Sequence, residues 1–91
     1  MAIAVVIDFA GGTAEKHDAL VAEMGLTGET ASTVQGLIFH AAGPTEGGWR
    51  VIDVWESEEA FQRFGAVIGP ILQDVGMSGE PQLFPLHNFV K

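Results

Sequence analysis

The feature that most constrains this chain is a first predicted strand that is apolar along almost its whole length. Ile3 to Phe9 is a run of mainly β-branched residues in which Asp8 is the one polar side chain. A strand that is apolar on both sides needs cover on both faces of its sheet. We therefore predict a central strand in a sheet that is buried on both sides.

The chain is too short to provide that cover easily by itself. Its 91 residues suit one domain, residues 1 to 91, yet 47% of them are hydrophobic and only 18% are charged. A small domain hides a smaller fraction of its surface than a large one, and buried apolar surface contributes about 25 cal/mol per Å². We therefore predict an obligate homodimer.

The charge balance limits the partners. Four Lys and Arg against 12 Asp and Glu give a net charge of −8, which disfavours nucleic acid and anionic membranes as partners. No apolar run approaches the roughly 20 residues of a membrane span. The apolar start lacks the features of a secretory leader, so we expect a cytoplasmic protein. Without cysteine, the chain has no thiolate nucleophile or thiolate metal ligand.

Periodicity and turn residues predict the order β-α-β-β-α-β, a ferredoxin-like α+β fold. In this fold two helices cover one face of an antiparallel four-stranded sheet. Proline cannot donate the helical hydrogen bond, so Gly69-Pro70 is expected to interrupt the second helix, with a further short turn of helix before Gly76. The predicted elements are strand Ile3 to Phe9, a helix from about Ala14 to Met24 capped by Thr13, a loop from Leu26 to Gln35, strand Gly36 to Ala42, strand Trp49 to Trp55, a helix capped by Ser57, and strand Gln82 to Val90.

Three segments together resemble the antibiotic-biosynthesis-monooxygenase-like family. They are Gly36 to Pro44, Gly48 to Phe61 with its Trp-Glu-Ser-x-x-Ala-Phe ending, and Pro85 to Asn88. The resemblance covers nearly the whole chain and implies a dimeric α+β barrel. Relatives with this fold include cofactor-free monooxygenases of aromatic polyketides, isomerases and haem-degrading enzymes, so the resemblance does not select one reaction.

The haem-degrading branch is disfavoured by the residues at its key positions. Relatives of that branch carry a Trp on the second helix and an iron-binding His ten residues later, where this chain has Phe64 and Asp74. The first strand also lacks their Asn. Haem contact through His40 or His87 remains an alternative.

His17 is the most informative of the three histidines. It shares one predicted helical face with Leu20, Val21 and Met24, which follow it at spacings of three, four and seven. That face must lie against the sheet, so His17 is expected at the edge of a pocket. Its ring either packs there as a structural group or acts as a general base or hydrogen-bonding group for a substrate.

His40 and His87 are each flanked by apolar residues on predicted strands. Each is either a half-buried imidazole satisfied by the protein or, if it converges with His17, part of one titrating site. The predicted catalytic residues are therefore His17, His40 and His87. No short-spacing ligand motif occurs among them, so no metal site is predicted.

Asp53 lies between two β-branched residues and is expected to be buried, which requires a partner. Arg50, His40 or a backbone N–H could be this partner, in which case Asp53 supports the fold. The catalytic alternative is that the Asp53 carboxylate orients a histidine. Asp8 is nearer a strand end and is expected to cap a loop.

Aromatic side chains could line a flat slot for a planar ligand, although core packing is the simpler explanation for any one of them. The aromatic residues that could form the slot are Phe39, Trp49, Trp55, Phe61, Phe64, Phe84 and Phe89, and the predicted substrate-binding residues are Trp55, Phe39, Phe61, Phe64 and Asp53.

The leading hypothesis is an enzyme that acts on a small, apolar or aromatic molecule without a tightly bound cofactor. The resemblance implies either monooxygenation, in which the deprotonated substrate itself reduces oxygen, or isomerisation or cyclisation. The contrasting hypothesis is a non-catalytic dimeric module that binds a ligand or a partner. A pocket with convergent polar groups would favour the enzyme.

Overall fold

One antiparallel sheet of four strands carries two helices, as predicted. The computed structural model describes residues 2–23 and 34–88. Its elements are β1 Ile3–Ala10, α1 Ala14–Glu23, β2 Leu37–Thr45, β3 Gly48–Trp55, α2 Glu58–Val75 and β4 Pro81–Pro85. The strand order is β2-β3-β1-β4, with every neighbouring pair antiparallel. The chain therefore has the ferredoxin-like α+β fold, and the first predicted strand is central in its sheet.

The core lies between the helices and one face of the sheet, here called the inner face. Residues directly opposite each other on neighbouring strands point to the same face. Val5 pairs with Asp53 and Phe9 with Trp49 in the register of β1 and β3, so all four side chains lie on the inner face. Two buried clusters fill it; they contain Ile3, Val5, Trp55 and Ala60, and Phe9, Trp49, Val51 and Met77.

The other face of the sheet, here called the open face, is also apolar. Phe39, Val54, Ala4 and Phe84 lie in one row across all four strands, and Val6 pairs with Ile52 in the next row. Phe39, Ile52 and Phe84 are 39%, 41% and 50% exposed. Both faces of the central strand are therefore apolar, and the helices cover one of them.

The predicted helix caps are confirmed. Thr13 Oγ1 accepts a hydrogen bond from the backbone N–H of Lys16 at 3.1 Å, and Ser57 Oγ accepts one from the N–H of Ala60 at the same distance. Gly76 ends α2 in the left-handed conformation, with φ of 75°. A residue with a Cβ is disfavoured in that conformation, which is why glycine stands at the end of this helix.

Two element predictions are wrong. The helix α2 continues through Gly69 and Pro70 to Val75 as one helix of 18 residues. Pro70 lies on its exposed side, so the carbonyl that loses its helical donor can bind water. The strand β4 spans Pro81–Pro85, and residues 86–88 that follow it are not part of a strand, although the N–H of Leu86 still donates to the carbonyl of Ala2 at 3.0 Å.

Some predictions lie outside the described residues. They concern Met24 at the end of the first helix, most of the loop from Leu26 to Gln35, and Phe89 and Val90 at the end of the last strand. In the part of the chain that is described, no helix is long and apolar enough to cross a membrane.

Candidate functional site

His40 and Asp53 form a close pair on the inner face of the sheet. They lie opposite each other in the register of β2 and β3, so both side chains point to the side that carries the helices. His40 Nδ1 is 2.6 Å from Asp53 Oδ1, which is a short hydrogen bond to a carboxylate. The His40 ring, which can donate a hydrogen bond from Nδ1, is thus held by the Asp53 carboxylate, which can only accept one.

Asp53 is buried, as predicted. Its side chain is 9% exposed, whereas that of His40 is 38% exposed. A buried carboxylate needs a partner. Arg50, His40 and a backbone N–H were the predicted alternatives, and the partner in the structure is His40. The pair therefore has one buried end, the carboxylate, and one end that reaches the surface, the imidazole.

Arg50 has another partner. Its guanidinium donates two hydrogen bonds to Asp8, from Nε to Oδ1 at 2.7 Å and from Nη2 to Oδ2 at 3.0 Å. This hydrogen bonding lowers the pKa of the Asp8 carboxyl. The expected loop-capping role of Asp8 is therefore wrong, because Asp8 lies within β1 directly opposite Arg50 on β3.

His17 lies beside this pair, on α1. Its ring stacks on that of His40, with centroids 5.8 Å apart and planes inclined by 8°, and it contacts the Trp49 ring at 5.3 Å. Its side chain is only 15% exposed. The predicted position of His17 against the sheet is confirmed, and His17, His40, Asp53 and Trp49 are called the histidine cluster below.

The surroundings of His17 favour its neutral form. Burial is the main reason that its pKa is lowered from 6.5, and the neighbouring His40 lowers it further. Asp18 and Asp53 oppose the effect, but the nearest Asp18 oxygen is 3.8 Å from His17 Nδ1, which is beyond hydrogen-bonding distance.

His87 does not join the histidine cluster. It lies just after β4, is exposed, and follows the edge strand opposite to the one that carries His40. The two alternatives for His87, a half-buried imidazole satisfied by the protein and a histidine that converges with His17 and His40, are therefore both wrong. Its apolar neighbours in the sequence indicated a strand, but the ladder of β4 ends at Pro85.

The aromatic residues predicted as one substrate slot are divided between the two faces. Trp55 is fully buried and contacts Phe61 at 5.9 Å and Phe64 at 5.0 Å between ring centroids, so these three belong to the core. Phe39 lies on the open face. A single slot formed by all four is wrong, because a bulge between Leu37 and Phe39 shifts the register of β2.

Trp49 is the residue of the cluster that was not predicted as a site residue. The alternation of a strand could have indicated it, since Trp49 and Asp53 are four residues apart and share a face of β3. Within the described residues, no group of three or more His, Asp or Glu side chains could hold a metal ion.

The fold and this site define a ferredoxin-like α+β protein with paired histidines and a carboxylate between the sheet and its first helix. Solved structures with the same fold include SnoaB, a cofactor-independent oxygenase from Streptomyces nogalater, with a TM-score of 0.69 and 18% sequence identity over 98% of this chain and 96% of that one. A candidate antibiotic biosynthesis monooxygenase from Deinococcus radiodurans has a TM-score of 0.60 and 11% identity over 100% and 97% of the two chains. MupZ from Pseudomonas fluorescens has a TM-score of 0.62 and 10% identity over 90% and 69%.

These likenesses confirm, at the level of the fold, the predicted resemblance to antibiotic-biosynthesis-monooxygenase-like proteins. No family model matches the chain. No curated protein sequence is significantly similar to it either.

Proposed function

We propose that this protein is a cofactor-independent oxygenase that removes a proton from a small, apolar, weakly acidic aromatic molecule. The observation that carries the proposal is the 2.6 Å contact between His40 Nδ1 and the buried Asp53 carboxylate, beside the stacked His17 ring. SnoaB, described as a cofactor-independent oxygenase, has the same fold and supports the reaction class.

Asp53 suits His40 to act as the base. A carboxylate accepts hydrogen bonds, so the neutral imidazole carries its proton on Nδ1 and leaves the lone pair on Nε2 to take a proton from a substrate. The resulting imidazolium forms an ion pair with Asp53. Because Asp53 is buried and cannot turn to bulk water, it also fixes the plane of the His40 ring.

The reaction needs no electron carrier, because the substrate anion supplies the electrons. His40 takes one proton from a CH₂ group that is activated by an aromatic ring, and the carbanion reduces O₂ to a peroxide bound at that carbon. Loss of the second C–H proton then breaks the O–O bond. One oxygen atom remains as the carbonyl and the other leaves with both protons as water, so CH₂ and O₂ become C=O and H₂O.

The test is oxygen uptake with a panel of phenols and of aromatic compounds that carry an activated CH₂ group. With ¹⁸O₂ as the oxidant, the wild-type protein should consume oxygen and incorporate one ¹⁸O atom per product molecule. The variants Asp53→Asn and His40→Gln should lose most of the rate of oxygen uptake. Glu80→Gln is the matched control for the carboxylate change, since Glu80 is exposed before β4. Activity that survives in both site variants would contradict the proposal.

A ligand-binding module is the second candidate. It is favoured by the stacking of His17 between His40 and Trp49, since rings that contact one another in this way can serve packing alone. A module of this kind would be stabilised thermally by a compound of the panel without consuming oxygen. Isomerisation or cyclisation would use the same base, and would give a changed product without oxygen uptake.

We further propose that two copies associate through the open face. Phe39, Ile52 and Phe84 lie on that face, where a second sheet packed against it would remove them from water. Asp8 and Arg50 lie on the same face and pair with each other, so neither would be buried there as an isolated charge.

A further inference from the structure

The two histidines of the cluster have different access to negative charge. His40 contacts the Asp53 carboxylate at 2.6 Å. Among the described residues, the carboxylate oxygen nearest to His17 is that of Asp18, which lies 3.8 Å away on a side chain that is 82% exposed. A positive charge on His40 would therefore be in direct contact with a carboxylate, whereas one on His17 would not.

The stacked geometry opposes a second proton. The ring centroids are 5.8 Å apart, and the side chain of His17 is 15% exposed, so two imidazolium charges would face each other with little water between them. Like charges at this separation disfavour each other, and burial disfavours a charge on His17 in addition.

We propose that His17 and His40 form a pair that holds a single proton, placed on His40, and that His17 is the positioning residue that keeps it there. This inference rests on the proposed function, in which His40 is the base. The His17 ring stays neutral against the charged His40 ring, so the proton taken from the substrate is not passed on to His17. It stays on His40, from which it can be returned to the reduced oxygen.

The groups that face His17 agree with this assignment. In the part of the chain that the structure describes, they are His40 on β2, Asp53 on β3 and Asp18 on α1 itself. The two carboxylates favour a charged His17, whereas burial and His40 oppose it more strongly, and the pKa of His17 is lowered as a result. The neutral form thus prevails although two carboxylates are near.

The test is a titration of the histidine ring signals by NMR, without any substrate. In the wild type, His17 should take up its proton below the ordinary value of 6.5. His40→Gln removes the competing charge and still offers a donor to Asp53, so the His17 midpoint should move upward. His87→Gln is the matched control, because His87 lies beyond the opposite edge strand and its loss should leave the His17 midpoint unchanged.

His40→Phe is the second variant, in case the His40→Gln protein does not pack well. Phenylalanine keeps an aromatic ring against His17. It should give the same upward shift. A His17 midpoint that is the same in the wild type and in both folded variants would overturn the proposal, as would a wild type in which His17 is protonated before His40. Since these titrations require no turnover, a protein without oxygenase activity could still hold one proton in this way, and the two proposals fail separately.

Discussion

Asp53 is the residue whose replacement best separates chemistry from stability. We expect Asp53→Asn to lower the rate of oxygen uptake about 100-fold or more, since the amide cannot stabilise the imidazolium of His40. The free energy of unfolding should change by only about 1 kcal/mol, because the amide fills the same space and the loss of a buried charge offsets the weaker hydrogen bond. Urea unfolding and an oxygen electrode measure the two effects. Equal losses in both measurements would show that Asp53 is mainly structural.

His17 makes the stability of the protein depend on pH. Its pKa is lowered in the folded protein, so the unfolded chain binds the proton more tightly. Stability is therefore full above the ordinary value of 6.5 and is lost as the pH falls below it towards the pKa of the folded state.

We accordingly expect the melting temperature of the wild type to fall between about pH 7.5 and pH 5.5, the range around the ordinary histidine pKa. The variant His17→Phe keeps a ring of similar size and cannot be protonated, so it should show a smaller decrease over the same range. Calorimetry of both proteins at matched ionic strength measures the difference. Parallel curves would mean that His17 does not contribute to the acid sensitivity.

The residues of the site were predictable to different degrees. Helical spacing was sufficient to place His17 against the sheet, and the apolar neighbours of Asp53 were sufficient to predict its burial. The partner of Asp53 depends on which strand lies next to β3 and in which register, and this is decided by tertiary pairing. His87 was misplaced because its neighbours resemble a strand while the ladder ends at Pro85.

At the scale of the elements, α2 contains residues that weaken it. Gly69 lies in the helix interior, and a Cβ added there would meet no atom within 4 Å. We expect Gly69→Ala to increase the free energy of unfolding by about 0.5–1 kcal/mol, since alanine loses less conformational freedom in a helix than glycine does. Pro70→Ala should increase it by up to about 3 kcal/mol, because the missing backbone donor is restored.

Urea unfolding curves measure both changes in α2. Ser57→Ala provides the opposite case, because it removes the acceptor at the start of the helix and should cost about 1 kcal/mol. If Pro70→Ala is less stable than the wild type, the shape that proline imposes on α2 is needed for packing against the sheet.

The ends of the elements were predicted best where a side chain acts locally. Thr13 and Ser57 each bond a backbone N–H three residues ahead, an interaction that depends on sequence alone. Pro70 was misjudged because its effect depends on which side of α2 faces water. A carbonyl without its donor is costly in the core, whereas on the exposed side water replaces the donor.

At the scale of the whole molecule, the fold followed from two patterns in the sequence. Alternating helical and strand periodicity gave the order of the elements, and few topologies connect that order with short, right-handed crossovers. The double-sided apolar character of Ile3 to Phe9 correctly predicted a central strand. The described helices cover only the inner face, and the cover of the open face is assigned to a second copy by the proposal above.

The last prediction concerns that cover. We expect the protein to be a dimer at micromolar concentration, and Ile52→Asp to shift it towards the monomer, since Ile52 is 41% exposed on the open face and a carboxylate there would be buried without a partner. The matched control is Val67→Asp, which places the same charge on α2 at a side chain that is 63% exposed, and should leave the dimer intact. Sedimentation equilibrium measures the mass of each protein. A wild type that sediments as a folded monomer of 9.6 kDa would contradict the prediction, and dissociation by both variants would place the contact elsewhere.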